Sequence, residues 1–185
     1  MNTAAEFAIR PATEADLDRI AEIKVASWAD TYGSLVEPAV LRPFLDRDRQ
    51  RDYVRQSLLE PDSLLLVAET KSRQVVGFVL AFLDREPEPW LESLHVAGES
   101  RGRGAGTRLM RELVARIEER GHKSLRLGVV KGNAGAGRLY DRLGAMVVGE
   151  EPASWALGVD HVIYRWPDLA PLTSATYNPA DDERR

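Results

Sequence analysis

The chain has 185 residues, a formal net charge of −4 and no cysteine. This length suits one well-buried core and is short for two domains. The lack of cysteine excludes disulfides, thiolate zinc ligands and a cysteine nucleophile, and the slight acidity disfavours general nucleic-acid binding.

Apolar periodicity, caps and turn residues predict the elements in chain order. Thr13, with Asp16 three residues later, predicts the start of the first helix. The predicted elements are strand 7–11, helix 13–28, a helical region 38–59 broken near Asp46, a hairpin of strands 63–69 and 75–83, strand 91–96, a helix ending near Gly121, strand 124–130, helix 133–144, and strands 146–149 and 159–166.

The resulting order is β-α-α-β-β-β-α-β-α-β-β, which predicts a single α/β domain with a mixed sheet. The helix that connects strands 91–96 and 124–130 predicts a parallel step between them. We expect the domain to cover residues 1–166 and the proline-interrupted residues 167–185 to form a peripheral or disordered tail.

No apolar run approaches the roughly 20 residues that span a bilayer. Residues 1–6 also lack the basic and apolar segments of a signal peptide. We therefore expect a cytoplasmic protein that does not bind membranes.

A glycine-rich run joins strand 91–96 to the helix after it. Converging backbone N–H groups at a helix N-terminus, without side chains in the way, favour a bound phosphate. The run lacks the Lys and Ser/Thr of a Walker A loop and the glycine spacing of a dinucleotide fingerprint. It consists of Arg101, Gly102, Arg103, Gly104, Ala105, Gly106 and Thr107.

A second motif begins at Asn133, a good helix N-cap, and ends at Gly144, which suits a left-handed C-cap. Leu139 and Leu143 lie one helical turn apart. Gly135 and Gly137 weaken this helix by roughly 1 kcal/mol each.

The two motifs together resemble the GNAT superfamily of acyl-CoA-dependent N-acyltransferases. Arg101, Gly104 and Gly106 match its pyrophosphate motif, Arg/Gln-x-x-Gly-x-Gly/Ala. The second motif matches Asn-x-x-Ala-x-x-Leu/Phe-Tyr-x-x-Leu-Gly, at Asn133, Ala136, Leu139, Tyr140, Leu143 and Gly144. The resemblance covers roughly residues 7 to 166, and implies a fold whose two central parallel strands splay apart around the acyl-pantetheine arm.

The resemblance also implies the residues that bind acetyl-CoA. Amides around Leu94, His95 and Val96 would pair with the pantetheine, residues 101–107 would hold the pyrophosphate, and Asn133 and Tyr140 would contact the arm.

Acetyl transfer to an amine needs a base, an oxyanion donor and an acid. By resemblance, the Leu94 backbone amide is the oxyanion donor and Tyr140 protonates the departing thiolate. Glu92 is the first candidate for the base, because strand alternation places it on the same face as Leu94. A salt-bridged carboxylate at a strand end explains Glu92 equally well. His95, on the opposite face, is the second candidate.

The acceptor site is less clearly marked. Trp28, Tyr32 and Pro38 resemble a Trp-x-x-x-Tyr-x-x-x-x-x-Pro pattern that forms a wall of the acceptor site in part of the superfamily, although ordinary core packing accounts for the aromatic pair equally well. Trp90 lies near enough in sequence to the catalytic strand to line the same site.

We therefore expect an N-acetyltransferase that moves an acetyl group from acetyl-CoA to a primary amine, on a small molecule or a peptide, by direct attack. A longer acyl-CoA, a non-catalytic acyl-CoA sensor and a transferase acting on aminoacyl-tRNA are the alternatives. No metal is expected, since no residue cluster has metal-ligand spacing. A homodimer is possible by resemblance.

Overall fold

The protein is described by a computed structural model over residues 7–173. The strands are β1 (Phe7–Pro11), β2 (Ser63–Thr70), β3 (Val75–Phe82), β4 (Trp90–Val96), β5 (Leu125–Val130), β6 (Met146–Pro152) and β7 (Asp160–Trp166). The helices are α1 (Leu17–Tyr32), α2 (Pro38–Leu41), α3 (Arg47–Leu59), α4 (Ala105–Glu119), α5 (Ala134–Arg142) and α6 (Ala170–Thr173).

The seven strands form one mixed sheet in the order β1-β2-β3-β4-β5-β7-β6. Strands β4 and β5 run parallel, and their register contains the single pair Trp90 and Arg126, at the start of both strands. All other neighbouring strands are antiparallel. Because β4 and β5 pair only at one end, they separate toward their carboxyl ends, and the sheet opens there.

Helices cover both faces of the sheet, because each strand of the β2–β3 hairpin alternates its apolar side chains between two cores. One core packs Phe78 and Leu80 of β3 against α1 and α3. The other core packs Val79 and Ala81 against α4. The predicted single mixed α/β domain and its splayed parallel strands are confirmed.

The helical region 38–59 breaks where the sequence predicts. A 3₁₀ turn follows α2, and the Asp46 side chain then accepts a hydrogen bond from the Arg49 amide at 3.0 Å as the N-cap of α3. Thr13 and Asp16 form the predicted capping box, with the Thr13 amide donating to the Asp16 carboxylate at 2.8 Å.

We expected the chain after Trp166 to be peripheral or disordered, but its first residues pack against the domain. Leu169 is fully buried and Leu172 nearly so, both in the core around α4, because these two leucines supply apolar surface that the helix needs covered. Residues 167–173 are therefore packed rather than peripheral. Residues 174–185 of the expected tail, and residues 1–6, lie outside the described residues.

Strand β6 is the edge of the sheet and is exposed along its whole length. Met146, Val147 and Val148 leave about half of their surface in solvent. A homodimer stays a prediction. Within residues 7–173, no helix is long and apolar enough to cross a membrane.

Candidate active site

The opening between β4 and β5 is a cavity of about 930 Å³. Its walls come from α1, α3, β4, β5, α5 and the loop that leads into α4. All but one of the residues predicted from the sequence to form the site line it: Trp28, Tyr32, Trp90, Glu92, Leu94, His95, Val96, Arg101, Gly102, Gly104, Ala105, Gly106, Thr107, Asn133 and Tyr140. Arg103 does not line it, and its guanidinium lies 6.0 Å from the centroid of the Phe7 ring.

A β-bulge in β4 changes the predicted position of Glu92. Leu80 pairs with Ser93 and Ala81 pairs with Leu91, so Glu92 is the extra residue. Leu94 packs in the α4 core, whereas the Glu92 carboxylate accepts a 2.7 Å hydrogen bond from Tyr53 of α3. The expectation that Glu92 and Leu94 share a face is therefore wrong, because the bulge interrupts strand alternation between them.

The backbone of β4 presents alternate amides to the cavity. The Ala97 amide donates to Val76 of β3, and the Val96 carbonyl accepts from the Arg101 side chain on the other side. Alternation therefore turns the amides of Leu94 and Val96 toward the opening, and the amide of His95 toward β3. Of the three amides expected to meet the pantetheine, two face the cavity.

The His95 side chain is on the same side of the sheet as Glu92. Its Nδ1 is 2.9 Å from the Ser27 hydroxyl of α1. Burial, together with the nearby charges of Lys24 and Arg101, lowers the pKa of His95 from 6.5 to about 3. So weak a base is poorly matched to an alkylamine, which argues against His95 as the base and leaves Glu92 as the first candidate.

The glycine-rich loop, where the sequence predicts a phosphate cradle, lines the cavity at the start of α4. Gly102 and Gly104 have φ of 74° and 83°, which side chains rarely adopt, and this backbone turns the chain sharply into the helix. The first amides of α4, at residues 105–107, have no acceptor within the helix and face the cavity. Backbone donors and the helix dipole, rather than Arg103, therefore make this end of the cavity suitable for a phosphate.

Tyr140 lies on α5, deep against the sheet. Its ring is 5.8 Å from that of Trp166 and 5.9 Å from that of Tyr164. Burial, with a smaller contribution from Tyr32, raises the pKa of the Tyr140 phenol, so the hydroxyl keeps its proton at neutral pH.

The start of α5 is fixed by Asn133. Its side-chain oxygen accepts a hydrogen bond from the Ala136 amide at 3.1 Å, which confirms it as the N-cap. Burial raises the pKa of Tyr32, and the nearby Asn133 side chain opposes part of that effect. Gly137 has a packing role, since a Cβ there would lie 2.9 Å from the Tyr164 hydroxyl oxygen.

Aromatic rings form the wall of the cavity near α1. The Trp28 and Phe44 rings stack at 4.7 Å, and Trp155 packs edge-on against both, at 5.1 and 5.0 Å. The Trp155 indole N–H donates to Nε2 of His161 at 3.1 Å. Trp28 and Tyr32 therefore line the cavity as well as packing against each other, at 5.0 Å.

The sequence did not assign a role to Lys24, Gln50 or Tyr53, which all line the cavity. Lys24 falls at the spacing of the buried residues of α1. A lysine at an inward position of a helix is unusual, and it could have indicated a cavity-lining cation. Tyr53 and Gln50 are three residues apart on α3, so they face the same way, but α3 carries no pattern that distinguishes a cavity wall from a core.

No group of histidine, aspartate and glutamate residues within residues 7–173 has the arrangement of a metal site.

Comparison with known proteins gives the same family as the motifs. Residues 21–145 match the profile of the Acetyltransferase (GNAT) family. No curated protein matches the chain.

Solved structures with this fold include the PaiA N-acetyltransferase of Thermoplasma acidophilum in complex with coenzyme A, at 20% identity and a TM-score of 0.73, covering 87% of this chain and 98% of that one. YncA of Salmonella typhimurium, a putative acetyltransferase with its cofactor acetyl-CoA, has 21% identity and a TM-score of 0.69 over 89% and 95%. Ribosomal-protein-alanine N-acetyltransferase of Brucella melitensis has 27% identity and a TM-score of 0.66 over 86% and 98%. With the profile match covering most of the chain, the protein belongs to the GNAT acetyltransferase family.

Proposed function

We propose that this protein transfers an acetyl group from acetyl-CoA to a primary amine by direct attack. The observation that carries the proposal is the cavity between β4 and β5. One opening brings together the glycine-rich start of α4, the β4 amides that face away from β3, the Tyr140 phenol and the Glu92 carboxylate.

Acetyl-CoA would enter along the opening. Its pyrophosphate would accept hydrogen bonds from the amides at the start of α4, where the glycines allow close approach. The pantetheine arm would lie beside β4 and pair with the Val96 amide, and Asn133 would border the arm from α5. Arg101 would meet the pyrophosphate only after giving up its contacts with the Val96 carbonyl and Asp30.

The amine attacks in its neutral form, which is about 0.04% of an alkylamine with a pKa near 10.4 at pH 7. Glu92 would accept the proton, directly or through water, with its carboxylate oriented by the 2.7 Å hydrogen bond from Tyr53. The Leu94 amide would stabilise the oxyanion, a contribution typically worth about 10²–10³ in rate.

Tyr140 would protonate the coenzyme thiolate as it leaves. Burial favours the protonated phenol before the reaction, as a general acid requires. Because the chain has no cysteine, the acetyl group would pass straight from the thioester to the amine.

A thiol-release assay with a panel of amines tests the proposal. The wild type should release free coenzyme A only when acetyl-CoA and an acceptor are both present. Binding of acetyl-CoA with no turnover on any amine would instead indicate a non-catalytic acyl-CoA sensor.

A further inference from the structure

Lys24 is a buried cation that the acetyl transfer described above does not use. It lies in the middle of α1, is 5% exposed and lines the cavity. Its ammonium lies over the Tyr53 ring, 4.2 Å from Nζ to the centroid, and makes no side-chain hydrogen bond or ion pair within residues 7–173.

Because Lys24 lines the cavity, the three N–H donors of its ammonium are available to a ligand there. Burial lowers the pKa of Lys24 from 10.5 to about 8, and the Glu92 charge opposes part of that effect. At pH 7 the group is still mostly charged, so it presents a positive charge and hydrogen-bond donors to the cavity.

Gln50 adds a neutral side-chain amide to the same wall of the cavity. It is 4% exposed and lines the cavity. Tyr53 lies one turn further along α3, next to the ammonium. The wall formed by α1 and α3 therefore presents a cation and a side-chain amide to the cavity.

The Tyr53 ring separates this cation from the proposed base. Lys24 lies over the face of the ring, and the hydroxyl at the edge of the same ring donates to Glu92. A small acceptor could place a carboxylate on Lys24 while its amine approaches Glu92.

We propose that Lys24, with Gln50, binds a carboxylate of the acceptor, so that the amine is carried by a small amino acid. This inference rests on the proposed function, since it names the class of amine that the site acetylates. An acceptor with only positive charge would leave the Lys24 ammonium facing another cation. In an amino acid, the neutral amino group would instead lie near the Glu92 carboxylate, and the carboxylate near the Lys24 ammonium.

The test compares free L-amino acids with their C-terminal amides and their decarboxylated amines as acceptors. L-leucine, leucinamide and isopentylamine make one such set, and L-methionine and L-phenylalanine with their counterparts make two more. We expect kcat/KM for the acids to exceed that for the amides by at least about tenfold, as is typical of a charged hydrogen bond.

Lys24→Met keeps the length of the side chain and removes its charge. It should abolish the preference for the acids over the amides, mainly by raising KM for the acids. Gln50→Met should weaken the preference less. Lys71→Met, in the exposed turn between β2 and β3, is the matched control and should leave the preference intact.

Acetyl-CoA affinity, measured by calorimetry, shows whether each variant is folded. If amides or simple amines are acetylated as well as the acids, or if Lys24→Met keeps the preference, the inference fails while the proposed function stands. Failure of every acceptor, with no binding of the acids to the CoA-loaded protein, overturns the inference too. If the wild type does not bind acetyl-CoA, the proposed function itself is overturned, and the inference that rests on it fails with it.

Discussion

Replacing Lys24 by methionine should stabilise the protein in a way that depends on pH. A lysine with a pKa near 8 in the folded chain and 10.5 in the unfolded chain is penalised in the folded state. The difference is worth about 3 kcal/mol wherever the ammonium is charged in both states.

The sign follows from proton binding. Below pH 8 both states carry the proton and the full penalty applies. Between pH 8 and 10.5 the unfolded state binds more protons than the folded state, so the stability of the wild type rises with pH relative to the variant. Above pH 10.5 the lysine is neutral in both the folded and the unfolded state, and the penalty disappears.

Urea unfolding of the wild type and Lys24→Met at pH 7 and pH 10 measures this difference. We expect the stability of the variant relative to the wild type to be greater at pH 7 than at pH 10, with a difference that approaches about 3 kcal/mol. Lys71→Met should show no gap at either pH. A gap that is the same at both pH values would show that Lys24 is not a desolvated ammonium, and would refute the reasoning.

The remaining predictions concern the reacting groups and α5. Tyr140→Phe should lower kcat by about 10²–10⁴ and leave the calorimetric affinity for acetyl-CoA nearly unchanged; an unaltered kcat would remove Tyr140 from the mechanism. Glu92→Gln should lower kcat/KM most below the pKa of the amine, and a pH–rate profile parallel to that of the wild type would argue against a base at this position. In thermal or urea unfolding, Gly135→Ala should stabilise α5 by about 0.5–1 kcal/mol, whereas Gly137→Ala should be destabilising, because its Cβ would lie 2.9 Å from the Tyr164 hydroxyl oxygen. Equal effects of the two alanines would contradict that packing.

The order of the elements could be predicted because its signals are local. Asp46 and Asn133 cap the helices that follow them, and Gly102 and Gly104 adopt the left-handed backbone that the turn into α4 requires. Each of these residues acts on its own neighbours in sequence, so the pattern alone was sufficient.

The orientation of Glu92 could not be predicted in the same way. Its bulge depends on the register between β3 and β4, which is set by contacts distant in sequence. The partners of Lys24 and Tyr53 likewise come from separate elements, and Arg103 lies beside Phe7 of β1 rather than in the cradle. Residues whose environment is assembled by tertiary packing are the ones that the sequence placed incorrectly or overlooked.

The central claim is that acetyl-CoA binds between β4 and β5 with its pyrophosphate at the start of α4. Gly106 lines the cavity, and a side chain there meets only ordinary contacts, with Val96 at 3.7 Å. Gly106→Glu therefore adds a negative charge to the cradle without strain. Gly98→Glu makes the same change in the preceding turn, where a Cβ has open space and lies outside the cavity lining.

Calorimetric titration of the wild type and these two variants with acetyl-CoA is the most direct test. The account predicts binding by the wild type and Gly98→Glu, and an affinity at least about tenfold weaker for Gly106→Glu, since like charges would meet in a desolvated site. Binding that is equally strong in all three proteins, or absent from the wild type, would contradict it.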